Sequence, residues 1–128
     1  TSILCNNSRL LPSDSEQSAW HGLGDQTESA LRVMAIKFGM KPTAIENEFP
    51  RMYEIPFDAH RKRMSTIHTT NNQLLICTKG APKEILHLCS DILIEGQTLE
   101  LNEELREEIL QINDEFSSSS LRVLIDGI

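Results

Sequence analysis

Apolar residues along this chain change their spacing several times, and each change predicts a different element. Leu31, Met34, Ala35 and Phe38 recur at helical spacing. Asp25 stands where it can cap that helix, Glu28 follows as in a capping box, and Gly39 stops the run. The stretch before it, Leu10 to Leu23, is rich in serine, glycine and polar residues and predicts a loop. A short helix is expected around Thr43 to Glu48, ending before Pro50. Extended segments follow: Met52 to Pro56, Arg63 to His68, and the apolar run Leu74-Leu75-Ile76-Cys77. The last two are joined by an asparagine-rich turn through Asn71-Asn72 and predict a hairpin. Pro82 suits the first turn of a helix whose apolar residues are Ile85, Leu88 and Cys89. Ile92 to Ile94 and Thr98 to Leu101 flank Glu95-Gly96, a second hairpin signal. Asn102 caps the longest helix, with Leu105, Ile109, Ile112 and Phe116 on one face and acids on the other. Ser117 to Ser120 lead into a final strand, Leu121 to Ile125.

Two hairpins among interspersed helices predict an α+β fold, a mostly antiparallel β-sheet flanked by helices, as a single domain over residues 1–128. Composition agrees with a globular chain: 39% hydrophobic and 24% charged residues are ordinary usage. The formal charge of −7 repels phosphate backbones and argues against nucleic acid as a partner. No stretch approaches the roughly 20 apolar residues that cross a bilayer, so direct membrane contact is not expected of this segment. The first residues lack the charged and apolar regions of a signal peptide. Cys5, Cys77 and Cys89 form no CxxC pair, which points to a reducing compartment, with Cys77 and Cys89 read as buried thiols. The histidines at 21, 60, 68 and 87 are scattered, and no metal site is expected.

Four segments could carry chemistry. Phe57-Asp58-Ala59-His60-Arg61-Lys62-Arg63-Met64 sets a ring beside a basic run in an acidic chain, the combination that holds a base and its phosphates. A solvated charge run with Phe57 in the core is the alternative. Lys79-Gly80-Ala81-Pro82 puts a lysine and a glycine before a helix N-terminus, an anion-attracting arrangement or an ordinary strand-to-helix turn. Asp25-Gln26-Thr27-Glu28 either contributes to a site or only caps a helix. Arg122, within Leu121-Arg122-Val123-Leu124, either lines a pocket or faces solvent. Catalytic constellations are missing from the sequence: it has no nucleophile elbow, GxGxxG or GxxxxGK[ST], and Glu103-Glu104 and Glu107-Glu108 lie on the outer face of the last helix.

In this order the four segments resemble the nucleotide-binding domain of type II P-type ATPases. That family shows GD-x-TE-x-AL, F-x-x-x-RK-x-M-S, KGAP-E and LRVL segments. Here they stand as Gly24 to Leu31, Phe57 to Ser65, Lys79 to Glu84 and Leu121 to Leu124. Leu4-Cys5-Asn6-Asn7, Glu54-Ile55-Pro56 and Cys89-Ser90 also look like the family, so the resemblance spans nearly the whole chain. It implies an ATP-binding domain cut out of a larger, calcium-pump-like cation pump, a cytoplasmic part of an integral membrane protein. Its partners would be the phosphorylation and actuator domains of the same polypeptide. Phe57 matches the ring that stacks on adenine, Lys79 the lysine of the adenosine pocket, and Glu28 the acid near the adenine amino group, with Thr27 before it. Lys62 matches a basic residue near the nucleotide, Met64 a pocket wall, and Arg122 an arginine reaching ribose or phosphates. Gly80 would allow close approach to the ligand. The phosphorylated aspartate and the Mg²⁺-coordinating acids lie in a neighbouring domain of the family. The chain alone therefore implies substrate positioning without turnover and without Mg²⁺ binding. The sequence departs from the family at Ala59, where calcium pumps often carry an arginine, and at Lys83, which interrupts KGAPE. Its end, Ile125 to Ile128, is more polar than usual. An acidic protein-interaction module that has lost nucleotide binding is the alternative function.

Overall fold

The computed structural model describes residues 1–11, 21–71 and 73–128. Chain order is β1 (Arg9–Leu11), β2 (His21–Leu23), α1 (Gln26–Lys37), α2 (Pro42–Glu48), β3 (Arg51–Asp58), β4 (Arg63–Thr70), β5 (Gln73–Gly80), α3 (Pro82–Leu86), β6 (Asp91–Ile94), β7 (Gln97–Glu100), α4 (Glu103–Ser118) and β8 (Ile125–Gly127). Strands β3-β4-β5-β8 form a four-stranded sheet in that order, and β1-β2 and β6-β7 are two-stranded. The stretches between β3 and β4 and between β4 and β5 are too short for the crossover that a parallel pair needs, so these neighbouring strands run antiparallel. The α+β expectation holds.

Local chemistry sets the helix ends. Asp25 Oδ1 accepts from the Thr27 and Glu28 N–H groups at 2.9 and 3.1 Å, satisfying two orphan donors of α1. At the other end Gly39 N–H donates to Ile36 O and Met40 N–H to Ala35 O, a Schellman closure. Asn102 accepts from Leu105 N–H and opens α4. Glu95 (φ 50°) and Gly96 (φ 81°) make the left-handed two-residue turn that suits the β6–β7 hairpin.

Internal contacts divide the chain into two compact units, Thr1–Glu54 with Thr66–Cys77 and Ile55–Ser65 with Thr78–Ile128. The first has an unusually polar core. Asn6, Ser8, Thr66 and His68 are buried there beside Ile3, Leu4, Cys5, Ala35 and Cys77. Asn6 is saturated: its amide donates to Ser2 O and Glu28 O, and its Oδ1 accepts from the Ser8 N–H and hydroxyl. Arg51 staples the N-terminal segment, donating to Leu4 O at 2.6 Å and Asn6 O at 2.8 Å and pairing with Glu54 at 3.0 Å. His68 Nδ1 donates to Phe49 O and its Nε2 meets the Thr66 hydroxyl, both at 2.9 Å. Such groups are tolerable inside only because each has partners.

In the second unit Met64, Ile85, Leu86 and Leu101 are buried. Arg106 of α4 donates to the carbonyls of Leu86 and Cys89, so a cation closes the C-terminal end of α3.

Four expectations are corrected. Leu10–Leu11 and His21–Leu23 are not loop: Arg9–Leu11 pairs antiparallel with His21–Leu23, Leu10 opposite Gly22, a ladder too short to show an alternating pattern. Residues 12–20 of that expected loop lie outside the described residues. In α3, Leu86 is buried while Leu88 is 59% exposed, because the helix ends after five residues and Leu88 falls beyond it; Cys89 is half-buried. On α4, Ile112 and Phe116 are exposed, since the five residues of α3 cover only the first turns of a 16-residue helix. The final strand is Ile125–Gly127 rather than Leu121 to Ile125. The serine run is helix end: Ser117 and Ser118 are helical, Ser120 is left-handed (φ 60°), and Leu121 N–H closes on Phe116 O.

Candidate functional site

Six of the eight residues singled out from the sequence belong to the second unit, and Thr27 and Glu28 belong to the first. Phe57 is the penultimate residue of β3, Met64 the second of β4, and Lys79 and Gly80 the last two of β5. Hairpin pairing brings these positions to one end of the sheet. Ser65 Oγ meets Thr78 Oγ1 at 2.9 Å, so both side chains lie on one face. Alternation then sets Met64 and Lys79 on the opposite face.

The β3–β4 loop is built to a fixed shape. Asp58 Oδ1 accepts from His60 and Arg61 N–H, at 3.0 and 2.9 Å, and Lys62 N–H donates to Asp58 O at 2.7 Å. Arg61 turns back to Pro56 O and Arg63 O, and Arg63 to Arg61 O, so these two cations are spent partly on their own loop. Lys62 takes the left-handed conformation (φ 50°). Its ammonium lies 3.6 Å from Glu84 on the first turn of α3 and stays 59% exposed.

Exposure separates the candidates. Phe57 is 63% exposed, which rules out a core role. A ring held open on a strand is what stacking on a planar ligand requires. Met64 is 5% exposed and Lys79 is 7% exposed. Lys79 stands opposite Asp126 in the β5–β8 ladder, a lysine and a carboxylate on the same side of the sheet. Gly80 has a reason internal to the protein: a Cβ there would lie 2.4 Å from Lys62 O and 2.6 Å from Arg63 Cβ. Ala81 N–H then donates to Lys62 O at 3.0 Å, tying the start of α3 to the loop. Arg122 is exposed and sits in the irregular segment before β8, not within an apolar strand.

In the first unit Glu28 accepts from Asn7 N–H at 2.9 Å, and Asn7 Nδ2 donates to Glu54 at 2.9 Å. Thr27 contributes its N–H to the Asp25 cap. Sequence reasoning missed the roles of Asn6, Arg51, Asp58 and Arg106. An asparagine before a polar residue and an arginine at a strand start carry no periodic signal. Among the described residues no group of three or more His, Cys, Asp or Glu is placed to hold a metal ion, and no helix is long and apolar enough to cross a membrane.

An antiparallel sheet flanked by helices, with an open ring, an exposed lysine and a buried one at one end, defines the chain as an α+β domain. Residues 1–125 match the family model described as P-type ATPase, cytoplasmic domain N. Calcium-transporting ATPase lmo0841 of Listeria monocytogenes is 38% identical over 125 residues, 98% of this chain. Calcium-transporting ATPase 1 of Lactococcus lactis is 37% identical over 122 residues, 95% of this chain. Probable cation-transporting ATPase F of Mycobacterium tuberculosis is 31% identical over 125 residues, 97% of this chain. The chain spans only 13–14% of the length of these relatives. It belongs to the family of the P-type ATPase cytoplasmic N domain.

Proposed function

We propose that the chain binds ATP by its adenosine part and, within a cation-transporting parent, presents the γ-phosphate to an aspartate of a separate phosphorylation domain. The two units act together as one domain of that pump, whose other partner is the actuator domain. The parent is an ATP-driven, calcium-pump-like translocase in a membrane, with this domain on the cytoplasmic side. The observation that carries the reading is the open ring of Phe57 at the sheet end shared with Lys79. Phe57 stacks on adenine, Met64 backs the pocket, and Lys79 sits beside the base. Gly80 keeps the strand-to-helix turn close to the loop, and Lys62 and Arg122 meet ribose or phosphates. Thr27 and Glu28 are proposed as contacts on the family motif alone.

The parent's chemistry needs Mg²⁺ held jointly by phosphates and carboxylates. The phosphate-side groups of this reading are the cations Lys62 and Arg122, so this chain binds ATP without Mg²⁺ and leaves it unhydrolysed. Calorimetric titration with ATP and with adenosine tests the reading. Affinity should be roughly millimolar to high micromolar, about −4 to −6 kcal/mol, equal or slightly weaker with excess Mg²⁺ than with EDTA. Phe57→Ala should lose about 1–3 kcal/mol of it while staying folded. Lys79→Ala should weaken ATP and adenosine alike, whereas loss confined to ATP would make Lys79 a phosphate contact. No binding of either ligand by the folded chain would favour the interaction-module alternative, and steady phosphate release that tracks the purified chain would favour a free-standing hydrolase.

A further inference from the structure

The first unit contains a cavity of about 650 Å³ that none of the nucleotide candidates lines. Its walls come from four directions: the N-terminal segment and β1, α1, α2, and the entry to β3. Three arginines line it, Arg9, Arg32 and Arg51, against the single carboxylate of Glu46, with the buried ring of His68 and the apolar Phe49 among the other walls. Arg32 is paired with Glu46 and Arg51 with Glu54, so Arg9 is the one cation on this wall without a carboxylate partner among the described residues. The three guanidinium groups are not equivalent. Arg51 commits both Nη atoms to Leu4 O, Asn6 O, Asn7 Oδ1 and Glu54, so it is a staple. Arg32 gives one Nη to Glu46 at 2.8 Å, and its side chain is only 12% exposed. A half-buried guanidinium with one Nη on an exposed carboxylate offers a planar fork of donors that suits a second acceptor. Arg9 is exposed on β1.

We propose that this cavity is a second ligand site, for a small organic anion: a carboxylate or phosphate ester on an apolar body. The volume lies within the few hundred to one thousand Å³ of small-molecule pockets and far exceeds one inorganic anion. Arg32 and Arg9 take the oxyanion in bidentate fashion, and Phe49 and its apolar neighbours take the body. Glu46 competes with the ligand for Arg32. The inference does not rest on the nucleotide reading, because its residues and those of the nucleotide site are different.

The test is a residue-resolved NMR titration of the whole 128-residue chain with phenylphosphonate, with inorganic phosphate run in parallel. Saturable shifts are expected at Ser8, Arg9, Ile36 and Phe49 with phenylphosphonate, and weaker ones with phosphate. Arg9→Gln, which removes no internal hydrogen bond of the described residues, should weaken phenylphosphonate about tenfold, the worth of one charge-assisted contact. Glu46→Gln should strengthen it by releasing Arg32. Lys37→Gln, an equal charge change outside the cavity, should leave it unaltered. The proposal is overturned by non-saturating shifts at these residues. It is equally overturned if Lys37→Gln weakens binding as much as Arg9→Gln, or if Glu46→Gln fails to strengthen it in a chain whose spectrum shows it folded. Phenylphosphonate shifts centred on Phe57 and Lys79 would assign the anion to the nucleotide site instead.

Discussion

The buried polar core of the first unit and the sheet end of the second place their residues against the usual hydropathy rule in opposite directions. In the first, Asn6, Ser8, Thr66 and His68 are polar and buried, and each meets partners inside the protein. In the second, Phe57 is apolar and 63% exposed, while Lys79 is charged and 7% exposed. A buried polar group whose bonds are made internally stabilises one arrangement of the chain. An exposed ring contributes little to the fold, and under the proposed function the ring of Phe57 stacks on adenine. The contrast separates residues whose bonds are made inside the protein from the exposed ring of Phe57, and it assigns Gly80 to the first kind although it sits at the same sheet end.

Breaking that assignment should give the largest effect. Gly80→Val puts atoms where even a Cβ would be 2.4 Å from Lys62 O. Overpacking against backbone should cost about 3 kcal/mol, read as a lower urea midpoint. An unchanged midpoint would return Gly80 to a purely ligand-facing role. Next comes His68→Ala, which strands the Phe49 carbonyl and leaves a void in the first unit. About 2–3 kcal/mol of stability should go, with ATP affinity of the folded chain unaltered. A mutant that loses ATP affinity but keeps its stability would dissolve the distinction between the two regions. Phe57→Ala sharpens it from the other side: stability should move by no more than about 0.5 kcal/mol, as for exposed positions generally, while ATP binding falls. The smallest effect is expected for Glu84→Gln. Its pair with Lys62, at 3.6 Å and with Lys62 59% exposed, is a surface contact worth less than about 1 kcal/mol. Releasing Lys62 should tighten ATP slightly, and weaker ATP binding would mean that Glu84 orients the lysine rather than competing for it.

Much of the fold was legible because it is written in local signals. The Asp25 and Asn102 caps, the glycine stop at Gly39 and the Glu95-Gly96 turn each depend on a few adjacent residues, and all appear where those residues predict them. The β1–β2 ladder was not legible, because Arg9–Leu11 and His21–Leu23 are three-residue strands without apolar alternation. The serine run misled for a related reason: serine disfavours helix interiors and favours caps and turns, yet here Ser117 and Ser118 are helical and Ser120 closes the helix in the left-handed region. For the candidate site, the residue types of Phe57, Lys62 and Lys79 were readable as a stacking ring with cations. The frame that fixes them was not. Asp58 and Arg106 act on backbone amides and carbonyls, which any sequence possesses, so nothing in their spacing announces a partner.

The central claim is that the sheet end of the second unit holds the adenosine of ATP. Residue-resolved NMR titration of the unmodified chain with ATP, in EDTA, tests it most directly. Saturable shifts should centre on Phe57, Lys62, Met64, Lys79 and Gly80. Shifts that bypass Phe57 and Lys79, or that saturate only at the polar core of the first unit, would contradict it.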